Sequence, residues 1–264
     1  MIVTRRNFVQ GAAALASGMP LLGAGPLTIG VGTFSYHSLS IDDMVTQLRL
    51  LNIDQIEMSR GEFMLMHPPT EEMCQSARAK FDRAGIRCVS YYTATIKDQR
   101  DIDYAVRYAK LLGASNVSGD ATGSTLNEID ARFTKEGLTF GIHNHWFPTK
   151  FAYESAEDVW RALEGLSGTV GATLDVGQMA ACGHNPLEAL ERLKTRLKVV
   201  HLKDVAAAGA EHNVLFGKGI VAIPGVMRKL KAIYFRGLIA IEYEKEGDVN
   251  ADMRQQLEFA RRYA

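Results

Sequence analysis

The sequence predicts a single closed (β/α)8 barrel of the TIM type, an α/β fold with eight parallel strands. Three observations lead there. Short apolar runs alternate with longer helical patterns from residue 27 onward, and eight such pairs fill the roughly 240 residues that a (β/α)8 barrel needs. The third observation is that the strands are bulky and apolar on one face only. In GLIAIEYE, Ile239, Ile241 and Tyr243 alternate with Ala240, Glu242 and Glu244; in GATLDVG, Ala172, Leu174 and Val176 alternate with Thr173 and Asp175. A doubly wound open sheet shows the same alternation of elements, but helices on both its faces demand apolar residues on both. The small or charged face suits a barrel interior.

The elements follow in order. A strand is predicted over 27–36 and a helix over 40–52, with Ser40 as N-cap and Asp42 and Asp43 in its first turn. The pattern continues with a strand over 54–59, a helix over 70–85 closed by Gly85, a strand over 86–93 and a helix over 101–113. Next come a strand over 114–120, a weaker helix over 125–136, a strand over 138–145 and a helix over 155–165. The last third holds strands over 169–177, 197–205 and 237–244, separated and followed by helices over 185–196, 223–235 and 250–263.

Residues 1–25 read differently, and the barrel domain is assigned to 26–264. Arg5 and Arg6 precede Phe8, and the uncharged GAAALASGMPLLGAG follows. This is the layout of an export signal, and the paired arginines resemble the twin-arginine type. The expected location is periplasmic, and the stretch is too short and too rich in Gly and Ala to read as a membrane span.

Composition narrows the partners. Thirty basic and thirty acidic residues give a formal net charge of zero, with 47% hydrophobic residues. Phosphate backbones are held by clustered Lys and Arg, so nucleic acid is not an expected partner. Cys74, Cys88 and Cys182 lack CxxC spacing and read as buried, unpaired thiols rather than a disulfide framework or thiolate metal site. A homo-oligomer stays open, since no exposed apolar stripe is legible.

Four predicted strands end in a possible metal ligand: His143, Asp175, His201 and Glu242. Each alone has a plainer reading as a hydrogen-bonded core histidine, a turn former or a cap. Barrel closure brings them to one rim, where two carboxylates and two imidazoles suit one divalent ion such as Mn, Co, Zn or Mg. Such an ion polarises a substrate carbonyl and favours proton abstraction at the adjacent carbon.

Several runs then resemble a known group: GIHNH at 141–145, TLDVG at 173–177, VVHLKD at 199–204, and GKGIVAIPGVMRKLKAIYFRGLIAIEYE at 217–244. They are similar to the xylose isomerase-like barrel superfamily of sugar isomerases, epimerases and related lyases, and the resemblance spans about 27–245. It implies a metal held by Asp175, His201 and Glu242, with His143 standing where many members carry Glu. It also implies dimers or tetramers, and a sugar or keto-sugar substrate. His145 shares the inward face with His143 and is expected to face that substrate. Glu57 is a candidate base near the sugar, beside Glu242, while Lys203, Gln178, His212 and Trp146 are candidate substrate contacts. Gln178 replaces a frequent His, and Ala210 an acidic companion of His212, so a multi-zinc DNA-repair site looks incomplete.

The resulting expectation is a metal-dependent sugar isomerase or epimerase. A lyase or hydratase acting on 3-keto sugars or inositol-type substrates is the alternative, because it begins with the same proton abstraction. A non-catalytic sugar-binding barrel is the third.

Overall fold

The computed structural model describes residues 25–65, 67–121, 123–145, 152–245 and 248–264. The expected export segment, Gly25 apart, and Trp146 lie outside the described residues. Strands β1 (Thr28–Gly32), β2 (Gln55–Met58), β3 (Arg87–Ile96), β4 (Asn116–Ala121), β5 (Thr139–His143), β6 (Val170–Asp175) and β7 (Leu197–Leu202) are joined by β10 (Leu238–Ile241). Every pairing among them is parallel, and the sheet closes in the order β1-β10-β7-β6-β5-β4-β3-β2. A two-residue antiparallel pair, β8 (Asp204–Val205) with β9 (Asn213–Val214), follows β7.

The helices are α1 (Ile41–Leu50), α2 (Glu71–Arg83), α3 (Gln99–Leu112), α4 (Ser124–Glu136), α5 (Ala156–Ala162), α6 (Val176–Ala181), α7 (Pro186–Leu193), α8 (Ile223–Ala232) and α9 (Asn250–Arg261). Local chemistry sets their ends. Ser40 accepts the Asp43 N–H, Ser155 and Asp158 form a reciprocal capping box, and α7 starts with Pro186 behind the Asn185 cap. Helix α3 shows the burial logic: Ile102, Ala105, Val106, Ala109 and Leu112 form its inward stripe, and Gly113 ends it at φ +80°. Among the described residues, no helix is long and apolar enough to cross a membrane.

The one-sided strands resolve as expected. Ile239 and Ile241 join the large core between sheet and helices, whereas Val199, Leu238 and Ala240 form a small separate cluster with Val89. Toward the C-terminal ends of the strands the interior becomes polar: Ser90, Asn116, Ser118 and Thr173 are buried and hydrogen-bonded to one another, and the ionisable residues come next.

Some predicted bounds move, each for a physical reason. The strand over 27–36 stops at Gly32 and turns into a 3-10 segment, Thr33–Tyr36. Thr33 Oγ1 accepts the Ser59 N–H at 2.9 Å and Ser35 Oγ accepts the Tyr243 N–H at 2.9 Å, pulling the chain across the barrel mouth. The strand over 169–177 stops at Asp175, whose carboxylate caps α6, a helix not foreseen. The strand over 197–205 stops at Leu202, because Asp204 turns aside to accept the N–H groups of Gly217, Gly219 and Val221. Cys74 and Cys88 are buried free thiols, while Cys182 is free but only half-buried.

Candidate active site

The C-terminal ends of β2 and β4 to β7, with the segment after β10, converge on one buried polar cluster. His143 ends β5, Asp175 ends β6, His201 lies on β7, and Glu242 follows β10. Asp175 is in register with His201, and His201 with Ala240, two residues before Glu242. Period-2 alternation does the rest, placing His143, His201, Lys203 and Glu242 on the interior face.

Their donor atoms gather as two overlapping triads. His143, Asp175 and His201 bring one donor each within 4.8 Å of one another, and Glu57, His201 and Glu242 do likewise. His143 Nε2 lies 3.1 Å from His201 Nδ1 and 3.7 Å from Asp175 Oδ2; His201 Nδ1 lies 4.0 Å from Asp175 Oδ2 and 3.4 Å from Glu242 Oε2. An ion held at about 2.0–2.3 Å by such donors separates them by roughly 3.0–3.7 Å, so the spacing fits a divalent cation. Asp175 Oδ2 is buried and faces both imidazoles, so the donor set of two ring nitrogens and a carboxylate oxygen fits such an ion.

The predicted quartet is spread over these two groups, which share His201. The Lys203 ammonium stands between its two carboxylates, 3.0 Å from Asp175 Oδ2 and 3.0 Å from Glu242 Oε2, and 2.7 Å from Glu244 Oε1. Lys203 and Asp175 are both buried, so this is a desolvated ion pair rather than a rim contact.

The electrostatics follow from packing charges out of water. Burial, with repulsion from His145, pushes His143 down to about 3 against the pull of Asp175, so it stays a neutral donor. Burial also opposes charge on His201, but Glu242, Glu57 and Asp175 outweigh it and raise that imidazole to about 9. Burial pushes the Asp175 carboxyl up, yet Lys203, His143 and His201 hold it well below the usual carboxylate range. Lys203 is raised well above its ordinary value, because Asp175, Glu242 and Glu244 overcome the desolvation that disfavours its charge.

The match to the model of the xylose isomerase-like TIM barrel runs over residues 45–263. The chain belongs to the xylose isomerase-like TIM barrel family. Among solved structures, an uncharacterized protein of Parabacteroides distasonis is 27% identical with a TM-score of 0.69, over 90% of this chain and 99% of that one. The 3-keto-D-glucoside 4-epimerase of E. coli has the same TM-score of 0.69 at 14% identity, over 90% and 100%. A probable 3-DHS dehydratase of Bacillus anthracis also reaches 0.69, at 11% identity over 88% and 97%. The last two likenesses are of fold. Curated proteins give no match.

Other expected site residues of this xylose isomerase-like barrel fall in varied places. His145, half-buried, presents Nε2 to His143 Nδ1 at 3.1 Å, to Asp120 Oδ1 at 3.0 Å and to the Tyr92 hydroxyl at 3.5 Å. Gln178 lies in the first turn of α6, its N–H donated to Asp175 Oδ1 at 2.9 Å. His212 is exposed in the segment between β8 and β9. Glu57 is fully buried, with one oxygen on His201 Nε2 and the other accepting the Ser90 hydroxyl at 2.7 Å. That geometry turns it away from a substrate-facing base.

The sequence reading passed over Asp120, Tyr92 and Asn144. Asn144 had a usable signal: it sits between two inward histidines, on the side where an apolar residue is the rule, and is fully buried. Asp120 and Tyr92 carried none, because their partners lie 25 and 53 residues away.

Proposed function

We propose that this xylose isomerase-like barrel is a divalent-metal-dependent sugar isomerase or epimerase-like enzyme, transferring a proton at the carbon beside a substrate carbonyl. The observation that carries the reading is the buried triad of His143, Asp175 and His201, with donors 3.1 to 4.0 Å apart. These three residues, with Glu242 as the fourth, are the ones to hold the ion. Two imidazoles beside two carboxylates suit Mn, Co or Zn better than the harder Mg. When bound, the ion supplies Lewis-acid polarisation of the carbonyl.

The chain's own groups do the remainder. Glu242 is the base that takes the proton from carbon, steadied by the Lys203 ammonium at 3.0 Å. His145, 3.0 Å from Asp120, is the second group to hold or return a proton. The polar belt of Ser90, Ser118 and Thr173 keeps the interior below this layer closed.

A second reading, as a lyase or hydratase of 3-keto sugars, draws on one feature. The β5 position carries His143 and not a carboxylate, so Glu242 has no matching base across the site for symmetric proton exchange. Elimination needs only one base and an acid. Ketoses and 3-keto-glycosides assayed in deuterated water separate the two: isomerisation incorporates deuterium without loss of water or aglycone, while elimination releases one of them. For either reading, Glu242→Gln in protein lacking residues 1–25 is expected to lose about 100-fold or more in kcat. Full activity in that variant, or activity indifferent to chelators, contradicts the proposal.

The reading extends to location. Arg5 and Arg6 before an uncharged stretch support export by a twin-arginine route, which carries folded and metal-loaded proteins. Replacing both arginines by lysine is expected to leave the protein in the cytoplasm; unchanged periplasmic recovery argues against export by this route.

A further inference from the structure

Glu57 is anchored as few carboxylates are. One oxygen meets His201 Nε2, and the other accepts the Ser90 hydroxyl at 2.7 Å. Ser90 Oγ is itself held by Asn116 Nδ2 at 3.0 Å, and Asn116 Oδ1 accepts the Thr139 hydroxyl at 2.8 Å. Asn116 also reaches Ser118 at 3.2 Å, which shares a hydrogen bond with Thr173 at 2.7 Å. Side chains from β3, β4, β5 and β6 thus fix one carboxylate of β2 in the barrel interior.

The consequence falls on His201. A carboxylate can only accept, so the ring nitrogen facing it must carry a hydrogen. That commits Nε2 and leaves Nδ1 as the atom turned to the site, 3.1 Å from His143 Nε2 and 3.4 Å from Glu242 Oε2. We propose that Glu57 is a positioning residue, which locks His201 with its proton on Nε2 so that Nδ1 alone is offered as a ligand. The carboxylate, imidazole and ion then form a relay in which the outer carboxylate orients the ring and raises its basicity. Ser90 and Asn116 serve Glu57 in turn.

The ligand half of this inference rests on the metal centre proposed above; the proton placement does not. The test uses the full chain with 15N-labelled histidine and Zn(II) as probe. With Zn(II) bound, long-range 15N–1H correlation is expected to show a proton on His201 Nε2 and none on Nδ1. Glu57→Gln is expected to weaken Zn(II), measured by chelator competition, by about 10–100-fold. Zinc on Nε2 with the proton on Nδ1, or affinity within twofold of wild type, overturns the proposal. If the wild-type protein takes up no divalent ion, the metal-centre reading fails instead. Glu57 is then judged on the metal-free spectrum: a His201 Nε2 proton that moves upfield in Glu57→Gln supports the positioning role, and one unmoved overturns it.

Discussion

Asn144 holds Asp175 by both of its main-chain polar groups. The Asn144 amide donates to the Asp175 carbonyl at 3.0 Å, and its side-chain oxygen accepts the Asp175 N–H at 2.9 Å. Both residues are fully buried, so the clamp sets where the Asp175 carboxylate points. Asn144→Ala leaves two buried backbone groups unpaired, and is expected to cost about 2–4 kcal/mol in denaturant unfolding and to weaken divalent-ion binding. Unfolding and ion binding both matching wild type would show that the clamp positions nothing.

Lys203 neutralises carboxylates that would otherwise be buried together. Removing one partner of a buried pair costs about 3–5 kcal/mol, because the remaining charges stay in a poor solvent. Lys203→Met should therefore lower the thermal midpoint of the metal-free protein by about 6–20 °C, at roughly 2–4 °C per kcal/mol for a chain of this size. Divalent ions should restore more of that midpoint than they add to wild type. A variant as stable as wild type without ions contradicts this account.

Gly32 faces Glu242 across the β1–β10 seam. A Cβ there would lie 2.3 Å from Glu242 Oε1 and 2.4 Å from its Cγ. The backbone at Gly32, φ −77° and ψ 120°, is ordinary for alanine, so the effect is steric and not conformational. Gly32→Ala is expected to keep native circular dichroism while losing about 10–100-fold in kcat as the carboxylate is pushed aside. Unaltered kcat would mean that Glu242 does not act from this position.

The pH dependence has opposite signs at the two ends. His201, raised to about 9 from an ordinary 6.5, binds its proton more tightly in the folded chain. Its contribution to stability is fully present below about pH 6.5 and is lost as pH rises through 9. Asp175 is pulled down by Lys203 and the histidines, and His143 is pushed to about 3, so their contributions are lost as pH falls. Urea midpoints of the metal-free protein should thus decline from pH 6.5 to 9, and Glu57→Gln should flatten that decline. A wild-type midpoint constant across this interval speaks against the charge on His201.

What the sequence determined by itself was the barrel and most of the roster at its mouth. Eight strands bulky on one face, each followed by a capped amphipathic helix, leave few other ways to bury the apolar residues, and alternation then places His143, His201, Lys203 and Glu242 inward. Tertiary structure decided what those residues face. Glu57 and His201 are 144 residues apart, and only barrel closure makes one the partner of the other, with the expected base fully buried against an imidazole. Asp175 was legible as a site residue but not as the cap of α6, because a carboxylate serves both with different oxygens. A single ammonium stands between the two carboxylates of the expected quartet. Sequence spacing says that Lys203 points inward, but charge–charge distance inside a closed sheet fixed its place between Asp175 and Glu242.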